Sequence, residues 1–178
     1  SIHSRINNLC QMVHVMEPGA DLVLLRHVVC RLRKHAKPSR NKAARLIDPG
    51  IMLEAGIAEM VRAASSPCDH EALGAVGVRD GLMLALLAAR PLRLANFTGL
   101  RLGHSIMRRD DGWWLDIDAH ETKTGMPQWM PVPRELTMPF DVYVETYRPR
   151  LLRDRDDDRL WIGIKGKPMT DHGVYTAF

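Results

Sequence analysis

A chain of 178 residues, 46% hydrophobic and 26% charged, is long enough for one ordinary domain or for part of one joined to part of another. Its three cysteines, Cys10, Cys30 and Cys68, are widely separated and form no CxxC pair, which argues against a zinc knuckle or disulfide scaffold; each is expected to be a small core residue. No uninterrupted apolar stretch reaches membrane-spanning length and no secretory signal is legible, so a cytoplasmic protein without a membrane partner is expected.

The formal net charge of +4 is unevenly placed. Residues 1–48 hold nine Lys and Arg against three Asp and Glu, a surplus of +6, while the remainder carries −2. Such a local basic surplus can meet the phosphates of nucleic acid, contacts that position a duplex without reading its bases.

Ile2, Ile6, Leu9, Val13 and Met16 recur at helical spacing and predict one apolar helix face. Pro18-Gly19 breaks the pattern, and Asp21 can cap a second helix carrying Leu22, Leu25, Val28 or Val29, and Leu32. That helix ends in a basic run, Arg31, Arg33, Lys34, His35 and Lys37, followed by Arg40, Lys42 and Arg45, with Pro38-Ser39 in its midst. A basic linker over residues 38–48 is expected to separate a helical unit, residues 1–37, from a second unit, residues 49–178. Arg31, Arg33, Lys34, Lys37, Arg40, Lys42 and Arg45 are candidate DNA contacts; the plain alternative is a solvated helix end whose cations suit the C-terminal dipole.

Asp48-Pro49 provides a cap and a first-turn proline for a third helix running to about Ala64, with Ile51, Ala55, Ala58 and Val61 on one face. The central helix, from about Asp69 to Arg90, carries Leu82, Leu86 and Ala89 at helical spacing. Gly74, Gly77 and Gly81 lower its intrinsic propensity, which close packing against a neighbour would explain. Pro91 should end it. Arg93 follows among Leu92, Leu94, Ala95 and Phe97, where an arginine must either snorkel out or be held at an internal polar site.

A short helix over Ala95 to Gly99 leads to a strand through Ile106, a turn at Asp110-Asp111-Gly112, and a half-buried strand from Trp113 to Asp118. Gln128 to Val132 reads as the partner strand at a sheet edge, since proline cannot donate to a ladder, and His120 to Gly125 forms the connection that carries Lys123. Trp113, Trp114 and Trp129 are expected to pack at this sheet. Phe140, Val144, Tyr147 and Leu151 mark another helix, and Arg153 to Asp158 a hydrated charged loop whose consecutive carboxylates do not converge as a metal site requires. Leu160 to Ile164 is extended, Gly166-Lys167-Pro168 turns, and Thr170 caps a last helix through Val174, Tyr175 and Phe178. The expected fold class is mainly α with a small three-stranded antiparallel sheet.

Arg93 within RDGLMLALLAARPLRLANFTGLRL, Lys123 in ETKTG between two strands, and LWIGIKGKPMTDHGVYTAF together resemble the tyrosine recombinase, or phage integrase, family. The resemblance covers roughly residues 70–178. It implies the beginning of an integrase-type catalytic domain preceded by the last helices of a core-binding domain. It further implies double-stranded DNA as partner, self-assembly on that DNA, and strand cleavage and rejoining through a 3′-phosphotyrosine link without metal or cofactor. Arg93 would then be the first phosphate-clamping arginine, and Lys123 the donor of a proton to the leaving 5′-oxygen. Asn96 stands where the family usually has a carboxylate that orients the site. The family's His-x-x-Arg motif and nucleophilic tyrosine find no match, so none of Tyr143, Tyr147 or Tyr175 is assigned as nucleophile. The chain is expected to be an inactive fragment of a recombinase. The alternatives are a noncatalytic DNA-binding module and a helical protein-interaction module.

Overall fold

The computed structural model describes residues 2–36, 46–65 and 71–178. The chain divides into two units, Ser1–Leu46 and Ile47–Phe178. Lys37, Arg40, Lys42, Arg45 and Cys68 lie outside the described residues.

The first unit is a helix pair, α1 (Ile2–Met16) packed on α2 (Val23–Lys34). Leu22 takes the cap position of α2, and Asp21, expected as the cap, stands one residue before it with its Oδ1 accepting the Val23 amide at 2.9 Å. Leu25, Val28, Val29 and Leu32 form the half-buried side of α2. The buried side of α1 differs from the expected one: Cys10 is buried, flanked by half-buried Ile6 and Val13, whereas Ile2, Leu9 and Met16 are exposed. Two overlapping stripes share Ile6 and Val13. Hydrophobicity favours the larger residues, but packing on α2 selects the stripe through the small Cys10. Cys30 is exposed, contrary to its expected place in a core.

In the second unit α3 (Pro49–Ser65) starts at a proline, with Asp48 Oδ1 accepting the Gly50 amide at 2.7 Å. It packs against α4 (Glu71–Ala89). Gly56 meets Gly81, and Ala63, further along α3, meets Gly77, earlier in α4, so the helices run antiparallel. A Cβ on Gly56 would fall 2.6 Å from the Gly81 carbonyl oxygen, and one on Gly81 equally close to the Gly56 carbonyl oxygen. This crossing accounts for the glycines that weaken α4 as an isolated helix. It also corrects the expected inner face of α3. Ile51, Ala55, Ala58 and Val61 are exposed, while Gly56, Met60 and Ala63 are buried, because only the glycine stripe lets the two backbones approach.

Helix α4 is, by length and composition, apolar enough to cross a membrane, against expectation. Its Leu82, Met83, Ala85 and Leu86 are instead fully buried in the core of this unit. It stops at Ala89, ahead of Pro91.

Helix α5 (Leu94–Thr98) and the antiparallel meander β1 (Ile106–Arg109), β2 (Gly112–Ile117), β3 (Gln128–Pro131) follow. Register pairs Ile106 with Leu115, Arg109 with Gly112, and Trp114 with Pro131. The inner side presents Ile106, Trp113, Leu115 and Ile117 to the core; on the outer side Trp114 and Trp129 pack with ring centroids 5.3 Å apart, and Arg109 lies 4.4 Å over Trp129. All three tryptophans thus pack at the sheet as expected.

Helix α6 (Thr137–Val142), a π-turn (Tyr143–Tyr147) and α7 (Arg148–Leu152) form one run with Phe140, Tyr143 and Leu151 inside. The extended segment Leu160–Ile162 passes fully buried through the core. It has no continuous strand partner, so side chains satisfy its carbonyls: Tyr143 Oη donates to Leu160 O at 2.9 Å and Arg79 Nη1 to Ile162 O at 2.8 Å. Trp161 Nε1 donates to Phe97 O at 2.9 Å. The charged loop is more than hydrated surface. Arg148 donates to the carbonyls of Asp157 and Arg159, and Asp158 pairs with Arg101 at 2.7 Å. Helix α8 (Asp171–Tyr175) closes the fold with Thr170 Oγ1 accepting the Gly173 amide at 3.1 Å. Phe178 falls beyond it. The observed class is therefore mainly α-helical with a small three-stranded antiparallel sheet.

Candidate functional site

Pro91 ends α4, and the chain turns so that Arg93, in extended conformation, becomes the N-terminal flank of α5. Phe97 and Leu100 turn inward and are fully buried, leaving Arg93 exposed. Of the two fates open to an arginine in this apolar neighbourhood, Arg93 takes the solvent. Among the described residues the arginines held internally are Arg79 and Arg148, which no sequence pattern singled out. Arg79 bonds Asp80 Oδ1 through Nε at 2.9 Å and Nη2 at 2.7 Å, besides its bond to Ile162 O. Burial pushes the Asp80 carboxyl above the usual carboxylate range, opposed by the Arg79 charge.

Lys123 is placed by the connection between β2 and β3. After a 3₁₀ turn, Ala119–Glu121, the Thr122 hydroxyl lies 3.0 Å from Ala119 O and 2.8 Å from Met126 O, closing the base of the loop. Gly125 has φ +65°, the left-handed conformation that glycine adopts without strain. The exposed Lys123 sits at the tip.

The structure brings the three sequence-predicted residues of this unit together. Arg93 Nη1 donates to the Glu121 carbonyl at 3.0 Å, and Asn96 Nδ2 donates to the same oxygen at 3.2 Å. Arg93, Asn96, Thr122, Lys123, Thr124 and Gln128 line an open cavity of about 210 Å³. Among the described residues, Nε and Nη2 of Arg93 and the Lys123 ammonium have no hydrogen-bond or ion-pair partner. No acidic side chain lines the cavity. Two cations with open donors, in a cavity whose lining carries no carboxylate, suit an anion of phosphate or carboxylate type.

Asn96 acts as a donor here, parallel to Arg93 on one acceptor. A carbonyl oxygen has two lone pairs, and these two side chains occupy both. The Glu121 carbonyl was not legible as a site element, since no sequence signal marks a main-chain acceptor 28 residues from Arg93.

A second cavity of about 260 Å³ beside α5 holds Arg101, His104, Ser105, Asp116, Asp118 and Glu121. Among the described residues no three His, Cys, Asp or Glu side chains are grouped as a metal ion would need. In the first unit, Arg31, Arg33 and Lys34 are exposed on the last turn of α2, where the helix dipole favours them. Arg31 and Lys34 line a cavity of about 490 Å³ with Leu24, His27, Val28 and Cys30.

Compared with known proteins, the chain matches no family model and no curated protein sequence.

Proposed function

We propose that residues 47–178 supply the phosphate-binding part of a DNA strand-transfer site of the tyrosine recombinase type. The observation that carries the proposal is the convergence of Arg93 and Lys123, thirty residues apart in sequence, on one acid-free cavity with their outward donors unused. In such a site, negative charge develops on the nonbridging phosphate oxygens and is stabilised by fixed cationic donors. Arg93 Nε and Nη2 form a planar fork that can hold two of those oxygens, while its Nη1 stays on Glu121 O. Lys123, on the loop tip, donates a proton to the departing 5′-oxygen.

A nucleophile is not assigned within residues 1–178. Tyr143, the most buried tyrosine, is unsuited: its hydroxyl donates to Leu160 O, and burial pushes its pKa well above the usual tyrosine range. The chain alone is therefore expected to bind duplex DNA without forming a covalent adduct on a nicked suicide substrate.

Binding of a fluorescent duplex to the 178-residue chain, followed by anisotropy across a salt series, tests the proposal. Arg93→Ala and Lys123→Ala should each weaken binding by about threefold to tenfold. Each should also flatten the log–log salt slope by about 0.9, the value for one phosphate no longer neutralised. Identical affinity and slope in wild type and both variants would refute a phosphate role for this cavity.

A further inference from the structure

We infer that Asn96 is a positioning residue that ties the Lys123 loop to the Arg93 guanidinium through a single shared atom, the Glu121 carbonyl oxygen. The functional consequence rests on the proposed phosphate-binding role; the structural coupling does not. Arg93 and Asn96 belong to the start of α5, whereas Glu121 ends the 3₁₀ turn two residues before Lys123. Both side chains donate to that one oxygen, at 3.0 and 3.2 Å. The loop base is closed independently by the Thr122 hydroxyl, whose single proton is shared between, or given to one of, Ala119 O and Met126 O. A hydrogen-bonded loop base joined at one carbonyl to α5 sets the reach of Lys123 relative to the fork of Arg93.

Asn96 fits this role because it is a neutral donor. Its amide reaches the carbonyl without competing for the guanidinium, so Nε and Nη2 of Arg93 stay open to the cavity. A carboxylate at the same position would have no donor for Glu121 O at neutral pH and would draw the guanidinium towards itself. Asn96→Asp, although it restores the residue type that the integrase resemblance leads one to expect, should therefore uncouple the loop rather than improve the site. Glu121 O would keep one donor instead of two, and Arg93 would be turned away from the cavity.

The test is carbonyl-detected NMR of the isotopically labelled 178-residue chain, together with the duplex titration. The Glu121 carbonyl carbon should move upfield in Arg93→Ala, Asn96→Ala and Asn96→Asp, since each removes a donor. The Arg93 Nε signal should shift in both Asn96 variants, while the β1 amides of Ile106–Arg109 stay in place as a control on folding. Duplex affinity should fall about threefold in Asn96→Ala and about tenfold in Asn96→Asp. Unchanged Glu121 carbonyl and Arg93 Nε signals in Asn96→Ala overturn the coupling, and that variant carries the test if Asn96→Asp fails to fold. Tighter duplex binding by Asn96→Asp overturns the donor role. If the NMR shifts occur but wild type and Arg93→Ala bind duplex equally, the coupling is upheld and the phosphate-binding proposal is the part that fails.

Discussion

Helices α3 and α4 bring their backbones together at Gly56 and Gly81, and Gly81→Ala tests that crossing directly. A methyl group on Gly81 would lie 2.6 Å from Gly56 O, 2.8 Å from Met60 Cγ and 2.9 Å from Met60 N. Two of these are main-chain atoms, so relief requires the helices to part instead of one side chain turning. Overpacking costs about 1–3 kcal/mol, and obstruction by backbone places this site near the upper figure, about 3 kcal/mol. Alanine recovers about 1 kcal/mol of helix propensity over glycine. The net destabilisation should be about 2 kcal/mol. With a urea m-value of about 2 kcal/mol/M, the unfolding midpoint should fall by about 1 M. Fluorescence reports on the right unit, because Trp113, Trp114, Trp129 and Trp161 all lie in it. Gly74→Ala is the control: its nearest obstacle, Ala63 O, is 3.5 Å away, so propensity should dominate and the midpoint should hold or rise. Adding Gly56→Ala to Gly81→Ala should cost less than the two single effects together, since both open one crossing. A Gly81→Ala midpoint equal to or above wild type would refute the crossing.

Two further stability measurements follow from a buried and a half-buried polar group. Thr98 is buried and its Oγ1 has no hydrogen-bond partner among the described residues, so Thr98→Val should stabilise the protein by about 1 kcal/mol; a lower urea midpoint would show that the hydroxyl is satisfied. Asp80, its folded pKa raised chiefly by burial, should contribute stability that is fully present below the ordinary carboxylate value of 3.8 and lost as pH rises through its raised folded value. The stability of wild type relative to Asp80→Asn should accordingly decline with rising pH across that window, and a flat or increasing difference in urea midpoints would contradict it.

What the sequence determined by itself was the chemistry that acts over a few residues. Pro91 stops α4 because it lacks an amide donor and its ring clashes with the preceding turn. Asp48 and Thr170 cap, and Asp21 holds the first amide of α2, because their oxygens reach amides two or three residues onward. The three strands and the loop carrying Lys123 were legible from alternation and turn residues, and the glycines of α4 announced a close neighbour.

Only the tertiary structure decided which of several apolar stripes became the inside. Ile51, Ala55, Ala58 and Val61 have helical spacing as regular as that of Gly56, Met60 and Ala63, but only the second stripe has the glycine that admits Gly81 without a clashing Cβ. It likewise chose Arg79 and Arg148 for burial, because the carbonyls of the extended segment and of the charged loop need donors there. The candidate site follows the same rule. Its apolar neighbourhood could mark Arg93 as unusual, and the integrase resemblance could point to Lys123, but their meeting depends on Glu121 O, a main-chain atom identical in kind at every position. Its role exists only because folding carries it to the start of α5, where Arg93 and Asn96 both reach it.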